Sequence, residues 1–227
     1  MARRYVIRQD AAPVAPISGI DYRTALNEEQ YAAVSSEPGP ALVIAGAGSG
    51  KTRTLTYRVA WLLDHGTDPW NILLLTFTNK AAREMTERVR SLIPLDLSRL
   101  WSGTFHSIAN RILRQHAEYL GYTPAFTIMD FDDRKSMIKS VVKSLKLDEK
   151  STRFPKPEVL SSLFSLADNE GANIRETQEN AYPYLSNHLD AILEVHDQYV
   201  ARKQETNSMD FDDLLLNVVR LFQEQEH

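Results

Sequence analysis

AGAGSGKT, residues 45–52, has the spacing of a phosphate-binding loop of the form [A/G]-x-x-x-x-G-K-[S/T]. An apolar run at residues 41–45 leads into it. An amphipathic stretch follows, with apolar side chains at Leu55, Val59, Leu62 and Leu63. A strand, a glycine-rich loop and a helix in this order are what such a loop requires. Its small residues let several backbone N–H groups point at one anion, and the positive end of the following helix adds to the attraction.

Each position of the loop has an expected contact with bound phosphate. The backbone of the small residues is predicted to bind phosphate, and these residues are Ala45, Gly46, Ala47, Gly48, Ser49 and Gly50. The Lys51 ammonium reaches the outer phosphates as a point charge, and the Thr52 hydroxyl can ligate Mg²⁺. Ala45 replaces the Gly of the commonest form, which requires ordinary backbone angles there. The alternative is a plain glycine-rich turn before a helix, but both flanking patterns fall where the motif needs them.

Composition and charge limit the class of protein. The chain has 227 residues, is 43% hydrophobic and contains no cysteine, so it has the composition of a globular protein without disulfides or thiolate metal sites. It has no apolar run near the ~18–20 residues that cross a bilayer, and its start turns acidic before any apolar segment develops. We therefore expect a cytoplasmic protein with no membrane partner. The net charge of −4 argues against nucleic-acid binding by bulk positive charge, but it allows a local groove that works by stacking.

The amino-terminal part predicts a tail followed by a helix. Residues 1–25 contain turn-forming residues and little periodicity, so we expect a loosely held tail with one short strand at residues 5–7. LNEEQYAAV, residues 26–34, is predicted to be a short helix. Asn27 would be its N-cap, and Gln30 stands three positions on, at capping-box spacing.

Strand and helix patterns then alternate three times. The first strand is the run at residues 41–45. The second is NILLLTF, residues 71–77, a continuous apolar run typical of a strand buried on both faces. The third is LWSGTF, residues 100–105. A helical pattern follows each of them, and this order indicates an α/β domain with a parallel sheet.

The pattern changes after about residue 118. Helical patterns occur near residues 131–145, 155–166, 183–200 and 211–222, and no strand pattern is evident between about 135 and 205. These segments predict a helical insertion. The last pattern runs to His227 without a capping residue or stop signal, so we expect the chain to be a fragment cut inside a helix.

Polar and aromatic side chains follow the second and third strands. The two sets are Thr76, Phe77, Thr78 and Asn79, and Thr104, Phe105 and His106. Because ligands bind at the carboxyl ends of parallel strands, one hypothesis is that these residues hold a phosphodiester backbone while the aromatic rings stack on bases. The alternative, which the residues taken alone favour at the second strand, is a helix N-cap (Thr78 or Asn79) beside a core Phe77.

An acidic segment, MDFDD at residues 209–213, opens the last helical pattern. Asp210, Asp212 and Asp213 have the appearance of a metal-binding set. The interpretation we prefer is that they are acids in the first turn of a helix, where the helix dipole stabilises them. A hydrogen-bonding role near the nucleotide site is the remaining hypothesis.

Together these segments resemble the N-terminal part of the UvrD/Rep/PcrA-type superfamily 1A DNA helicases. LNEEQ is similar to the adenine-reading Q motif, AGAGSGKTR to motif I, LLLTFTNKAAREM to motif Ia, SGTFHS to motif Ib, and MDFDDLL to the segment where the chain re-enters its core. Motif I of that family has Ala at its first position, as here. The resemblance covers roughly residues 26–222, and the motifs match in order as well as content.

The resemblance implies an architecture. A RecA-like P-loop NTPase subdomain with a parallel sheet, 1A, would comprise residues 26–115 plus 206–227, incomplete at its C-terminus. An all-α subdomain, 1B, would comprise residues 116–205 and touch duplex DNA ahead of the fork. Residues 1–25 would be an N-terminal tail.

The resemblance also implies ligands and roles. ATP and Mg²⁺ would be the nucleotide and metal. Gln30 would read the adenine edge, Arg53 would pack near the base, and Lys51 and Thr52 would be catalytic, serving the γ-phosphate and Mg²⁺. The strand-end residues from Thr76 to Asn79 and from Thr104 to His106 would line a track for single-stranded DNA. The implied function is that of the ATP-binding part of a 3′→5′ DNA helicase that translocates on single-stranded DNA and unwinds duplex in repair or replication.

One family motif is missing from the sequence. No D-E-x-Q-type acidic string, which holds Mg²⁺ and activates water in the family, occurs in the 227 residues. The arginine finger and second RecA-like domain, expected further on in the chain, are absent too. We therefore expect weak nucleotide binding, poor hydrolysis and a need for the remainder of the helicase chain as partner.

Three other functions remain open on the sequence. The chain could be the front end of a helicase–nuclease subunit, or a non-catalytic, nucleotide-gated DNA-binding module. A small-molecule P-loop kinase is the third, and it predicts no DNA binding and leaves the strand-end residues unexplained.

Overall fold

The computed structural model describes residues 16–147 and 154–224 of the chain. Its internal contacts divide these residues into two units, one up to Ile108 and one from Ala109 onward. The strand expected at residues 5–7 lies outside the described residues.

The first unit is built on a parallel β-α-β arrangement. Strand β1 (Leu73–Thr76) pairs in parallel with β2 (Trp101–Thr104), with Leu73 opposite Trp101 and Thr76 opposite Thr104. The connection contains helix α4 (Asn79–Leu92), capped by Thr78, whose hydroxyl accepts from the Ala81 N–H at 3.1 Å. The other elements are α1 (Tyr22–Ala25), α2 (Glu28–Ser35), α3 (Lys51–Asp64), a 3₁₀ turn (Pro69–Asn71) and α5 (Phe105–His116), which belongs to this unit through Ile108.

Helix spacing accounts for the core of this unit. In α4, Ala82, Met85 and Val89 recur every three or four residues and are buried. Met85 and Val89 share one apolar cluster with buried residues of α2, α3 and β1, namely Val34, Val59, Leu63 and Leu74. The sequence prediction of parallel strands joined by amphipathic helices is confirmed here.

The strand expected at residues 41–45 is not formed. Leu42, Val43 and Ile44 are 86%, 54% and 89% exposed, and no regular structure is present between residues 40 and 46. A strand needs a neighbour for its N–H and C=O groups, and among the described residues β1 pairs only with β2. The expectation that the second strand is buried on both faces is also wrong, because Leu73 is exposed on β1.

The segment before α2 is held in place rather than loose. Tyr22 in α1 and Leu26 after it are buried in the apolar cluster. The backbone N–H groups of Ile17 and Ser18 donate to Asp64 Oδ1 at 3.1 and 2.8 Å. The expectation of a loosely held tail is therefore wrong for residues 17–25. The turn-forming residues at the start of this segment predicted a loose tail, so the burial of Tyr22 was not expected.

The second unit is mainly helical. Its helices beyond α5 are α6 (Phe131–Ser144), α7 (Pro157–Glu170), α8 (Ile174–Ala181), α9 (Leu189–Glu205) and α10 (Phe211–Glu224), with 3₁₀ turns at Ala117–Leu120 and Pro183–His188. The described residues between 135 and 205 contain no strand, as the sequence predicts. The short parallel pair β3 (Thr127–Ile128) and β4 (Ser208–Met209) was not expected.

The short β3–β4 pair sets the position of the last helix. The Thr127 N–H donates to Asn207 O at 2.9 Å and the Met129 N–H to Met209 O at 2.8 Å. Residues 206–224 therefore group with the helical unit, whereas the family resemblance assigns them to subdomain 1A. The division at Ile108 also differs from the expected boundary at residue 115, so the subdomain boundaries stay a prediction. Within the described ranges, no helix combines the length and apolarity that a membrane span requires.

Candidate functional site

The phosphate-binding loop has the backbone that its glycines permit. Gly48 and Gly50 lie at φ 77° and 85°, in the left-handed region where a side chain is strained. Gly50 is the N-cap of α3 and offers no side-chain cap. The first N–H groups of α3 are therefore available for an anion, together with the positive end of the helix dipole.

Lys51 lies across the loop. Its ammonium donates to the carbonyl oxygens of Ala45 at 3.1 Å and Gly46 at 2.7 Å. The Ser49 hydroxyl also donates to Gly46 O, at 2.8 Å. The loop is thus closed by its own side chains, and a phosphate would compete with two carbonyl oxygens for the Lys51 charge.

The residues near the loop fit Mg²⁺ only if phosphate oxygens supply most of its ligands. Thr52, the second residue of α3, is exposed beside Lys51 and supplies one hydroxyl oxygen. Within residues 16–147 and 154–224, no cluster of three or more acidic or histidine side chains has the geometry to hold a metal. Mg²⁺ commonly takes few protein ligands and completes its shell with phosphate oxygens and water, which matches one hydroxyl next to a phosphate site.

The predicted base-reading residue is attached to the loop. Gln30 Nε2 donates to Ser49 O at 3.0 Å. The expected capping box is formed: the Gln30 N–H donates to Asn27 Oδ1 at 2.8 Å, and the Asn27 N–H reaches Gln30 Oε1 at 3.4 Å. The amide of Gln30 is therefore fixed both by its own helix and by the phosphate-binding loop.

Arg53 is held by the backbone of Ala25, five residues before Gln30 in the chain. Its Nη2 donates to Ala25 O at 2.9 Å, and its guanidinium lies 5.0 Å from the centre of the Tyr57 ring. A cavity of about 440 Å³ adjoins it, lined by Arg53, Thr56, Tyr57, Arg88, Ser91 and Leu92. Arg88 could not be singled out from motif spacing, because it reaches this cavity through the packing of α4 beside α3.

The strand-end residues come together as predicted for one edge of a sheet. Thr76 and Thr104 are paired in register at the ends of β1 and β2. Phe77 is 90% exposed, and its ring centre lies 5.7 Å from that of the exposed Phe105, with the planes tilted by 48°. The alternative of a core Phe77 is therefore wrong, whereas the N-cap role of Thr78 is confirmed.

The other residues predicted to line a DNA track are His106 and Asn79. His106 is exposed in the first turn of α5, next to Phe105. Asn79 lines a polar cavity of about 270 Å³ together with Ala82, Arg83, Thr86, Glu87, Ser102, Gly103 and Ser107. The Thr86 hydroxyl donates to Ser102 Oγ at 2.8 Å, which joins α4 to β2. Arg83, Thr86 and Ser107 are polar groups that motif spacing did not single out.

The acidic residues at the start of α10 form ion pairs with basic side chains. Asp212 and Asp213 stand in its first turn, as preferred from the sequence. Lys203 Nζ lies 3.1 Å from Asp210 Oδ2 and 2.7 Å from Asp213 Oδ2, and Arg134 Nη1 lies 2.6 Å from Asp212 Oδ2. Burial opposes ionisation of Asp210, yet Lys203 and Arg134 hold its pKa below the ordinary value. These acids form an ion network inside the second unit.

The loop, its helix and the neighbouring parallel strands define a class. A glycine-rich loop that opens a helix, in a unit with parallel strands joined by a helix, is the arrangement of P-loop proteins of the α/β class. Residues 26–227 match the family model described as the UvrD/REP helicase N-terminal domain, and the chain belongs to this family.

Two curated relatives give the extent of the similarity. The chain is 41% identical over 199 residues to the ATP-dependent DNA helicase PcrA of Staphylococcus aureus, and 42% identical over the same length to that of Staphylococcus epidermidis. Each match covers 87% of this chain and 26% of the relative. The chain thus spans about a quarter of the length of these relatives.

Proposed function

We propose that this chain is the ATP-binding part, subdomains 1A and 1B, of an ATP-dependent DNA helicase that moves 3′→5′ on single-stranded DNA and unwinds duplex in repair or replication. One observation carries the proposal. The Gln30 amide donates to the Ser49 carbonyl, so the side chain that is proposed to read the base is attached directly to the loop that is proposed to bind phosphate. A nucleoside triphosphate, with a base at one end and phosphates at the other, fits this pair of groups.

The nucleotide would be bound along α3. The open N-terminus of α3 and the Lys51 ammonium would hold the phosphates, with Thr52 as a Mg²⁺ ligand. Gln30 would hydrogen-bond the adenine edge, and Arg53 would lie against the base. The phosphates would displace Lys51 from the carbonyl oxygens that it now contacts.

Single-stranded DNA would cross the ends of β1 and β2. The exposed rings of Phe77 and Phe105 offer stacking surfaces for unpaired bases. The hydroxyls of Thr76, Thr78 and Thr104, with Asn79 and His106, would contact the sugar–phosphate backbone. This mode suits a chain with a net charge of −4, since it depends on stacking and few phosphate contacts. The helices of the second unit would touch duplex at the single-strand/double-strand junction.

The remainder of a helicase chain would complete the nucleotide site. The exposed apolar side chains at residues 42–44 and Leu73 would be buried if further strands joined the sheet. Additional chain would also supply the acidic D-E-x-Q string, which is absent from this sequence. On its own, the chain is expected to bind ATP weakly and to hydrolyse it poorly. A cytoplasmic location stays a prediction from composition.

Two binding measurements test the proposal. Fluorescence anisotropy with labelled oligo-dT, with and without ATP–Mg²⁺, should show DNA binding that nucleotide changes, and calorimetry should show ATP binding that Lys51→Ala weakens more than about tenfold. Lys143→Ala, an exposed lysine of the second unit, is the matched control. ATP binding without oligo-dT binding would instead favour a small-molecule kinase. Hydrolysis at the rate of an intact helicase, lost in Lys51→Ala, would contradict the expected weak turnover.

A further inference from the structure

Asp64 is a buried carboxylate at an unfavourable place. It is the last residue of α3 and is 0% exposed. The C-terminal end of a helix carries partial negative charge, so an acid there is destabilised by the helix dipole. No lysine or arginine among the described residues forms an ion pair with it. A carboxylate that is buried without a cation needs strong hydrogen bonds to remain ionised.

Those hydrogen bonds come from one segment of the chain. We call residues 17–26 the N-terminal strap. Asp64 Oδ1 accepts from the backbone N–H groups of Ile17 and Ser18, at 3.1 and 2.8 Å. Asp64 Oδ2 accepts from the Tyr22 hydroxyl at 2.6 Å and also from the Ser18 hydroxyl. Burial alone would raise the pKa of Asp64, but the bonds from Ser18 and Tyr22 hold it below the ordinary value.

The strap is connected to both residues that are proposed to contact the base, Arg53 and Gln30. Its Ala25 carbonyl accepts from Arg53 Nη2 at 2.9 Å. Its last residue, Leu26, is buried and precedes Asn27, the N-cap that holds Gln30. The position of Arg53 and the start of the helix that carries Gln30 therefore both depend on where the strap lies.

Aromatic packing connects the same groups. The Tyr22 ring lies 5.0 Å from Trp61 and 6.2 Å from Tyr57, edge to face in both cases. Tyr57 is the ring on which the Arg53 guanidinium rests. Such edge-to-face contacts have defined geometry, so displacement of Tyr22 would be transmitted to the support of Arg53.

We propose that Asp64 is a positioning residue for base recognition: by fixing the N-terminal strap, it sets the places of Gln30 and Arg53 without touching nucleotide. The inference rests on the proposed ATP-binding function and deepens it. The phosphate end of the site has contacts that do not involve the strap, because Lys51 and the Ser49 hydroxyl close the loop of residues 45–52 on its own carbonyl oxygens. The strap reaches the loop only indirectly, through the bond from Gln30 to Ser49 O, so we expect Asp64 to act more strongly on the base end than on the phosphate end.

The test compares ATP with inorganic tripolyphosphate, which has the phosphates but no base. Calorimetry on the 227-residue chain with Mg²⁺ should show that Asp64→Asn weakens ATP binding about tenfold, since the hydrogen bonds to this charged group hold the strap. Tripolyphosphate binding should stay within about twofold of wild type, because the Lys51 and Ser49 contacts that close the loop do not involve Asp64. Asp96→Asn is the matched control, since Asp96 is an exposed carboxylate that accepts from Ser98 in a turn of the same unit. It should leave both affinities unchanged.

A second variant covers the case in which Asp64→Asn does not fold. Tyr22→Phe keeps the ring and removes one donor, and it should weaken ATP binding roughly 2- to 5-fold with tripolyphosphate unchanged. Equal loss of both ligands, or unchanged ATP affinity in the folded variants, would overturn the inference while leaving the proposed function intact. A wild-type chain that binds tripolyphosphate but gains no affinity from the adenosine would overturn both base recognition and the role of Asp64.

Discussion

The side-chain amide of Gln30 lies 3.0 Å from the carbonyl oxygen of Ser49, so helix α2 and the phosphate-binding loop are joined by a direct hydrogen bond. The two residues are 19 positions apart. Through this contact, a change in the conformation of the loop alters the position of the amide that is proposed to read the base.

Replacing Gln30 with alanine tests this connection. Gln30→Ala removes the bond to Ser49 and half of the capping box, which together should lower the free energy of unfolding by about 1–2 kcal/mol. ATP should bind more weakly, and the preference for ATP over GTP should be lost. Thermal unfolding and calorimetry measure the two effects. Glu37→Ala, at an exposed position after the end of α2, should change neither. A Gln30→Ala variant that still prefers ATP would contradict the base-reading role.

Phe77→Ala should separate DNA binding from stability. Because the ring is 90% exposed, its removal should change the free energy of unfolding by less than about 0.5 kcal/mol. Loss of a stacking surface should weaken oligo-dT binding by about 1–3 kcal/mol. Urea unfolding and fluorescence anisotropy provide the measurements. The exposed Tyr184 of the second unit is the matched aromatic control, and equal effects of Tyr184→Ala and Phe77→Ala on oligo-dT binding would argue against a track at Phe77.

Asp168→Asn should stabilise the protein in a pH-dependent way. Burial, reinforced by the nearby carboxylates of Asp210, Asp213 and Asp212, raises the pKa of Asp168 from 3.8 to about 6, although Lys203 opposes the shift. The folded state therefore holds this proton more tightly than the unfolded state. The stability that the proton contributes is complete below about pH 4 and is lost as the pH rises through about 6.

Asparagine carries no charge at any pH, so the Asp168→Asn variant does not lose stability as the pH rises through about 6. At pH 8, Asp168→Asn should raise the free energy of unfolding by about 1–2 kcal/mol, and at pH 4 it should have little effect. Urea unfolding at the two pH values measures this difference. Asp190→Asn, at an exposed position on α9, should give less than about 0.5 kcal/mol at either pH. A gain for Asp168→Asn of equal size at pH 4 and pH 8 would show that the charge is not responsible.

Lys203→Met tests the ion network of the second unit. Lys203 is buried between Asp210 and Asp213, and methionine would leave both carboxylates without this counter-ion. Removing one partner of a buried ion pair costs about 3–5 kcal/mol, so hydrogen exchange in α9 and α10 should increase strongly. ATP affinity should be unchanged if the network has no part in the nucleotide site. Lys139→Met, at an exposed lysine, is the control.

Local patterns in the sequence were sufficient for much of the fold and part of the site. A continuous apolar run predicted β1, and the segment at residues 100–105 predicted β2. Residue spacing predicted α4, with Thr78 or Asn79 as its cap, and Thr78 is the cap in the structure. The capping box at Asn27 and Gln30 followed from two residues three positions apart. These features depend on interactions within a few residues, so composition and spacing determine them.

Features that depend on distant parts of the chain were missed. An apolar run at residues 41–45 has the composition of a strand, but a strand forms only beside a partner. Asp64 and Ser18 are 46 residues apart, and Arg134 and Asp212 are 78 apart. No local pattern links an acid to a donor at that separation, so these pairings could not be predicted from the sequence.

The β3–β4 pair brings together two points that lie far apart along the chain, since the Thr127 N–H reaches Asn207 O at 2.9 Å. The chain segment between Thr127 and Asn207 therefore begins and ends at neighbouring positions. A segment whose two ends meet in this way can be lengthened, shortened or exchanged for another of the same end-to-end spacing with little disturbance of the flanking chain. The helices α6 to α9 could therefore be exchanged between related proteins at this two-residue ladder, provided that Arg134 and Lys203 are retained to pair with the acids at the start of α10.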